Sequence, residues 1–171
     1  LRVFYYNMLW HYFGNVPFYL ENLNNPPYTA PQLTADEVYD QLIVELEAII
    51  DSNVLPMRWD DTQAGRVSQA MAWMMYAEMV MYQNDESRYS KALQGMQAII
   101  NSGQYALNPD YANLWEESGE WCSESIFEIN YEDANNERGW SSPLAIGGTV
   151  LPTLIAPNSW PGGDGWDGGD G

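Results

Sequence analysis

Apolar side chains recur every three or four residues in four stretches of the chain, which is the pattern of helices that pack on one face. The first stretch, Leu1 to Phe13, is rich in aromatic residues and stops at Gly14, a residue type that often ends helices. The other three stretches predict helices over Ala35–Asp51, Val67–Tyr82 and Glu86–Asn101. Short connections between successive helices favour hairpins, so the pattern predicts a mainly α fold.

Local signals support two of these helices. Thr34 and Glu37 have the spacing of a capping box, in which each residue's side chain accepts a hydrogen bond from the other's backbone amide. The helix over Val67–Tyr82 is apolar on nearly every face, which predicts burial on several sides. Its methionines are interpreted as core filling; they are Met71, Met74, Met75, Met79 and Met81.

The helical period disappears after Gly103. The segment Ser125–Tyr131 alternates in part and is rich in β-forming residues, so it predicts one short strand. From Glu132 onward Gly, Pro, Asn and Ser are frequent and no period is sustained, which indicates loops. We therefore expect a single domain over 1–171, with a helical part (1–103) and a loop-rich part (104–171).

The net charge of the chain argues against two classes of binding partner. The 171 residues include 24 acidic and 6 basic side chains, for a net charge of −18. Without a basic patch, binding to nucleic acid or to an anionic membrane surface is disfavoured. Residues 103–171 hold 12 of the acids, one base and five of the eight tryptophans, so aromatic and acidic residues concentrate in the loop-rich part.

Metal and cofactor chemistry finds little support in the sequence. The chain has one histidine, His11, and one cysteine, Cys122, which excludes multi-histidine metal sites and internal disulfides. We interpret His11 as a packed or interfacial side chain. No cofactor is predicted. Asp164, Asp167 and Asp170 lack the spacing of an EF-hand loop, which leaves calcium as a minor alternative. Arg66 stands at the start of a helix, where the macrodipole disfavours a cation, so we expect a carboxylate elsewhere to hold it.

Several short segments occur together in the order typical of one protein family. They are Leu1-Arg2 with Tyr5-Tyr6, the helix end and turn Trp10–Phe18, Glu37–Asp40, Gly65–Ser68, Ser102–Leu107, Tyr111 with Leu114-Trp115, and Glu124–Ile129. Together they resemble the SusD/RagB family. The resemblance covers roughly residues 1 to 131.

The resemblance implies tetratricopeptide-like helical hairpins and a role in nutrient uptake. Members of the family are lipoproteins on the outer face of the outer membrane of Bacteroidetes. They bind glycans or other nutrients and work with a SusC-type TonB-dependent transporter. They are considerably longer than this chain, so we expect 1–171 to be an internal fragment truncated at both ends. The lipid anchor, the only expected link to the membrane, would then lie upstream of Leu1.

Carbohydrate binding requires flat aromatic faces for sugar C–H groups, together with amides and carboxylates for hydroxyls. The predicted loops supply this mixture, and the candidate ligand-binding residues are Tyr131, Asn135, Asn136, Trp140 and Trp160. The alternative is that these aromatic residues only cover the helical scaffold. The sequence leaves the glycan unspecified and leaves a peptide ligand open.

Two other function classes compete with glycan binding. A helical-repeat scaffold would bind protein partners on its concave helix faces. An acidic glycoside hydrolase would need two paired carboxylates, drawn from Glu116, Glu117, Glu120, Glu124 and Glu128. No sequence motif of a hydrolase is present and a run of glutamates is usually solvated, so we expect a non-catalytic protein with no catalytic residues.

Overall fold

Four α-helices and a two-stranded ribbon make up the part of the chain that the computed structural model describes, residues 1–130. In chain order they are α1 (Arg2–Phe13), β1 (Val16–Pro17), β2 (Gln32–Leu33), α2 (Ala35–Ser52), α3 (Gln69–Gln83) and α4 (Tyr89–Asn101). Two short 3-10 turns lie between helices, at Asp61–Gln63 and Glu86–Arg88, and two lie after α4, at Ala112–Trp115 and Glu117–Gly119. The strands pair antiparallel, with Val16 opposite Leu33. The mainly α fold is confirmed.

The boundaries of α1 and α2 follow the predicted local signals, whereas α3 begins at Gln69 and not Val67, and α4 begins at Tyr89 and not Glu86. The Thr34 hydroxyl accepts a hydrogen bond from the Glu37 amide at 3.3 Å, and the Glu37 carboxylate accepts one from the Thr34 amide at 2.9 Å. This capping box starts α2 at Ala35, as predicted. Gly14, with a φ of 64°, ends α1 through a hydrogen bond from its amide to the Trp10 carbonyl. Because that φ is left-handed, glycine suits the position.

The core lies where α3 packs between α2 and α4, while α1 covers the other part of α2. The helix α2 contributes a stripe at helical spacing, formed by Val38, Tyr39, Leu42, Ile43, Leu46 and Ile50. The helix α3 is buried on several sides, as predicted, and its buried apolar residues are Ala70, Met71, Ala72, Trp73, Tyr76, Ala77, Met79 and Val80. On α1, Trp10 packs its ring 5.6 Å from that of Tyr39.

The interpretation of all five methionines as core filling is wrong in part. Met71 and Met79 are buried and Met75 is half-buried, but Met74 and Met81 are exposed. At 3.6 residues per turn the five methionines span an arc of roughly 160°, and Met74 and Met81, which are seven positions apart, lie together at one edge of that arc. The two neighbouring helices leave one face of α3 open, and Met74 and Met81 lie there.

The strand predicted at Ser125–Tyr131 is also wrong over its described part, since residues 125–130 form no ladder. A strand needs a neighbour that completes its backbone hydrogen bonds, and β1 and β2 pair with each other instead. The segment is held by side chains and by a turn. Glu128 accepts from the Trp121 amide at 3.0 Å, and Phe127 packs its ring 6.2 Å from that of Phe4.

A polar cluster joins α2, α3 and the turn before α4. Arg88 donates to Asp85 at 2.6 Å and to Glu47 at 3.2 Å. The hydroxyl of Tyr39 donates to Asp85 at 2.9 Å, and that of Tyr76 donates to Glu47 at 2.7 Å. Each carboxylate therefore has a cation and a phenol as partners, which identifies the cluster as a structural tie between helices.

None of the helices in the described residues is long and apolar enough to cross a membrane. The structure likewise brings together no group of three His, Cys, Asp or Glu side chains that could hold a metal ion within residues 1–130. The aspartates considered for calcium, Asp164, Asp167 and Asp170, lie outside that range.

Candidate functional site

All five residues proposed from sequence as ligand contacts lie outside the described residues: Tyr131, Asn135, Asn136, Trp140 and Trp160. Their role stays a prediction. The described residues carry aromatic and basic side chains of their own, on two surfaces built by the segments that follow α2 and α4. These surfaces are the candidate functional site that the structure adds.

The first surface depends on Arg58, in the turn between α2 and α3. Its guanidinium donates to four backbone carbonyls at 2.9–3.3 Å, those of Gln104, Trp121, Cys122 and Ser123. It also lies 4.9 Å from the centroid of the Tyr105 ring. Because a guanidinium is planar and carries several N–H donors, it can donate hydrogen bonds to several acceptors at once. We call this arrangement the Arg58 clamp; it holds the loop after α4 against the turn after α2.

Next to the clamp, two tryptophans line a narrow cleft. The Arg66 guanidinium lies 5.8 Å from the centroid of the Trp59 ring, and the Trp59 indole N–H donates to the Val67 carbonyl at 2.9 Å. Gly65 has a φ of 86°, and a Cβ there would lie 3.4 Å from the Trp121 ring. Glycine therefore permits both the turn and the close approach of Trp121.

The expected carboxylate partner of Arg66 is wrong for the described part of the chain. Among residues 1–130 no ion pair to Arg66 is formed, and Trp59 supplies its contact instead. A cation over an indole face is stabilised by the ring quadrupole, which replaces the carboxylate. Arg66 is exposed, so water also solvates its charge.

The cleft is too small for a sugar. Its volume is about 30 Å³, with Ser68, Ser125 and Ile126 among the lining residues. A water molecule needs roughly 10–15 Å³ measured in the same way, so the space fits about two waters. The Ser125 hydroxyl is buried and has no hydrogen-bond partner within residues 1–130, and Ser125 lines that space. A ligand as large as a glycan would have to bind on an open surface.

The second surface is such an open one. Tyr111 and Trp115 flank the 3-10 turn Ala112–Trp115 and are 71% and 75% exposed. Their ring centroids are 6.1 Å apart, and the ring planes meet at 71°. We call this pair the aromatic corner. Tyr111 and Trp115 appear in the sequence only as part of the family pattern, although their four-residue spacing in a turn-rich segment was a signal for paired rings.

The carboxylates considered for catalysis have other roles or are solvated. Glu124 accepts from the Asn108 amide at 2.8 Å, and Glu128 accepts from the Trp121 amide. Glu116, Glu117 and Glu120 are exposed. A glycosidase acid requires a carboxyl group in an environment that raises its pKa. The described carboxylates therefore give no support to a hydrolase.

His11 is a packed side chain, as predicted. Its Nδ1 lies 2.8 Å from the Asn7 carbonyl one turn earlier on α1. Its ring centroid lies 4.0 Å from that of Tyr82 on α3, and its Nε2 is 4.0 Å from the Glu78 carboxylate. These contacts join α1 to α3 and place the imidazole in the scaffold.

Solved structures of the same fold come from Bacteroides. Surface glycan-binding protein A from Bacteroides uniformis is 63% identical, with a TM-score of 0.80; the match covers 95% of this chain and 33% of that one. The Bacteroides thetaiotaomicron protein of the same name, solved in complex with laminarihexaose, is 56% identical, with a TM-score of 0.83 and the same coverage. This chain therefore spans about a third of the length of these relatives.

A more distant similarity concerns the fold alone. A SusD superfamily protein from Bacteroides vulgatus is 21% identical, with a TM-score of 0.64 over 75% of this chain and 26% of that one. No protein-family model matches the chain. A search of curated proteins finds no match either.

Proposed function

The chain belongs to the SusD family, and on that premise we propose that it binds a neutral glycan at the cell surface without catalysing any change in it. The observation that carries the proposal is the relative solved with laminarihexaose, which is 56% identical over 95% of this chain. A similar backbone with similar side chains presents similar surfaces to a ligand. As this chain spans about a third of that relative, the whole protein's ligand is part of the proposal.

The chemistry of the described surface supports the same ligand class. The aromatic corner offers open rings for the C–H faces of sugars, and exposed acids near it offer acceptors for hydroxyls. The predicted loop residues Tyr131, Asn135, Asn136, Trp140 and Trp160 would add further contacts of the same kind. In this proposal the loops bind the ligand and the helices hold them in place.

Calorimetric titration of the purified protein with laminarihexaose tests the proposal. We expect saturable binding, and we expect Trp140→Ala to weaken it about tenfold, the effect of losing one central aromatic contact. The matched control is Tyr12→Ala, because Tyr12 is 78% exposed on α1 and should leave affinity unchanged. A folded wild-type protein that binds neither laminarihexaose nor any other neutral oligosaccharide would contradict the proposal.

The non-catalytic part of the proposal has a separate test. Laminarihexaose incubated with the protein should be recovered intact by chromatography. Shorter products that disappear in a Glu124→Gln or Glu116→Gln variant would instead support a glycoside hydrolase.

We propose further that the protein acts at the outer membrane with a SusC-type TonB-dependent transporter, as the family resemblance implies. The test is purification of the tagged full-length protein from detergent-solubilised outer membranes. We expect a TonB-dependent transporter to co-purify in stoichiometric amount. Glycan binding without any transporter would limit the function to capture, whereas protein binding without glycan binding would favour the helical-repeat scaffold.

A further inference from the structure

The aromatic corner places two large rings in water, which is uncommon for a tryptophan. Trp side chains are mostly buried because their apolar area is large. Trp115 nevertheless remains 75% exposed and Tyr111 71% exposed. They meet edge to face with centroids 6.1 Å apart, and most of the surface of both residues stays exposed. An open pair of rings is a surface that a ligand with apolar faces can cover.

Local contacts hold the turn that carries both rings. The Asp110 carboxylate accepts from the Ala112 amide at 3.0 Å, and the Asn113 side-chain amide donates to the Ser118 hydroxyl at 2.8 Å. Gly119 packs under the turn so closely that a Cβ would lie 1.8 Å from the Asn113 carbonyl oxygen. The backbone that carries both rings is thereby fixed on both sides. A preformed surface loses little conformational entropy on binding.

The charges around the corner select against anions. Residues 103–130 contain no Lys or Arg, and the exposed acids next to the rings are Asp110, Glu116 and Glu117. Carboxylates accept hydrogen bonds from sugar hydroxyls but repel sulfates and uronates. The corner therefore fits a neutral, hydroxyl-rich ligand.

The angle between the rings adds a preference for shape. The planes of Tyr111 and Trp115 meet at 71°, so a flat ribbon cannot lie against both faces. Successive rings of a β-1,4-linked glucan form such a ribbon. A β-1,3 linkage turns the chain between successive sugars and lets two neighbouring rings face two inclined surfaces.

From these four observations we propose that Tyr111 and Trp115 form a contact site for a curved, neutral β-glucan chain, separate from the loop residues predicted at 131–160. This site deepens the proposed function and rests on it. Each ring covers one sugar face, and the flanking acids accept hydroxyl hydrogen bonds.

Calorimetric titration with laminarin, a β-1,3-linked glucan, tests the site in Trp115→Ala and Tyr111→Ala. We expect Trp115→Ala to lower the affinity about five- to tenfold, and Tyr111→Ala somewhat less because its ring is smaller. The matched control is Leu107→Ala, which removes an apolar side chain that is 83% exposed in the same loop. It should leave affinity unchanged, and Trp115→Phe should restore most of the loss.

The possible results of these titrations distinguish a failure of the aromatic corner from a failure of the proposed function. Wild-type affinity in Trp115→Ala, with binding still reduced by Trp140→Ala, overturns the aromatic corner and leaves the proposed function intact. An equal loss in Leu107→Ala, or a lowered melting temperature in Trp115→Ala, overturns it too, because the ring then has a packing role. A wild-type protein that binds no glycan refutes both. A larger loss for laminarin than for a soluble β-1,4-glucan supports the preference for a curved chain.

Discussion

The guanidinium of Arg58 donates a hydrogen bond to the backbone carbonyl of Cys122 at 2.9 Å, across 64 positions of sequence. The same group reaches three further carbonyls of the loop that follows α4. One side chain thus fixes a long segment with few backbone hydrogen bonds to the helices. Trp121 and its neighbours owe their position over Gly65 to this clamp.

Replacing Arg58 should therefore destabilise the protein. Arg58→Ala leaves four carbonyls without their donor, and we expect the free energy of unfolding to fall by about 2 kcal/mol, in the range for hydrogen bonds to a charged group. Arg58→Lys keeps the charge but lacks the planar set of donors, so it should recover only part of the loss. Urea unfolding of the three proteins measures this. Equal stability of Arg58→Ala and wild type would rule out the clamp.

A second prediction concerns Gly95, where α4 crosses Trp73 on α3. A Cβ at this position would lie 2.2 Å from the Trp73 ring, so Gly95→Ala forces the helices apart or moves the indole. Gly→Ala inside a helix normally stabilises it by up to about 1 kcal/mol. Here we expect the opposite sign, a loss of about 1–3 kcal/mol from overpacking.

The matched control for Gly95→Ala is Gln94→Ala, the adjacent exposed position on α4. Its effect should stay within about 0.5 kcal/mol, as is usual for surface substitutions. Thermal or urea unfolding distinguishes the two variants. A Gly95→Ala protein more stable than wild type would show that the contact between α3 and α4 is looser than described.

These contacts show why the helices were predictable and the loop was not. The start of α2 depends on Thr34 and Glu37, which are three positions apart, and on a period repeated within the helix. Both signals are local. The segment after α4 depends on Arg58, more than 40 positions away, and no local pattern marks that partner. The strand expected at Ser125–Tyr131 failed for the same reason, because β-forming residues do not supply a neighbouring strand.

The pKa of Asp85 gives a prediction about acid stability. Hydrogen bonds from Ser87, and then from Arg88 and Tyr39, lower the pKa of Asp85 from its usual 3.8 to about 2. A carboxyl whose pKa is lower in the folded state stabilises the fold above its unfolded pKa. That contribution is lost as the pH falls from about 4 towards 2. Acid in this range should therefore weaken the tie between α2 and the turn before α4.

Unfolding of the wild type and of Asp85→Asn as a function of pH isolates this contribution. The stability difference should be largest near neutral pH and should shrink between about pH 4 and pH 2. Asp40→Asn removes an exposed acid from the same helix pair and serves as the charge-matched control. A difference between wild type and Asp85→Asn that stays constant down to pH 2 would contradict the assignment.

The candidate site was likewise predictable only in the features that depend on local sequence. Composition alone indicated aromatic and acidic residues in the loop-rich part, and Tyr111 and Trp115 fit that description. Their inclined arrangement, with ring planes at 71°, depends on how Asn113 packs against Gly119, which no pattern of residue types specifies. The residues chosen from sequence, from Tyr131 to Trp160, stay predictions. Arg66 shows the reverse error within residues 1–130, where its contact is the nearby Trp59 ring and not a distant carboxylate.

The net charge of −18 leads to a prediction about ligand selectivity. Long-range repulsion should weaken the binding of uronate-rich polysaccharides, and added salt should relieve that repulsion by screening it. Binding of neutral glucans involves no net charge and should change little with salt. Titration with laminarin and with polygalacturonate at low and high ionic strength measures both effects.

An anionic polysaccharide that bound in spite of the negative net charge would need a basic side chain as its partner. The charge of Arg58 is engaged by backbone carbonyls, whereas the guanidinium of the exposed Arg66 forms no ion pair within residues 1–130 and lies over the Trp59 ring, so an anion bound there would depend on Arg66. We expect Arg66→Gln to leave laminarin affinity unchanged, because a neutral sugar gains little from a cation 5.8 Å from the centre of an indole ring. Polygalacturonate that binds more tightly than laminarin, and loses that advantage in Arg66→Gln, would overturn the neutral-glycan assignment and place the ligand on the exposed surface around Arg66.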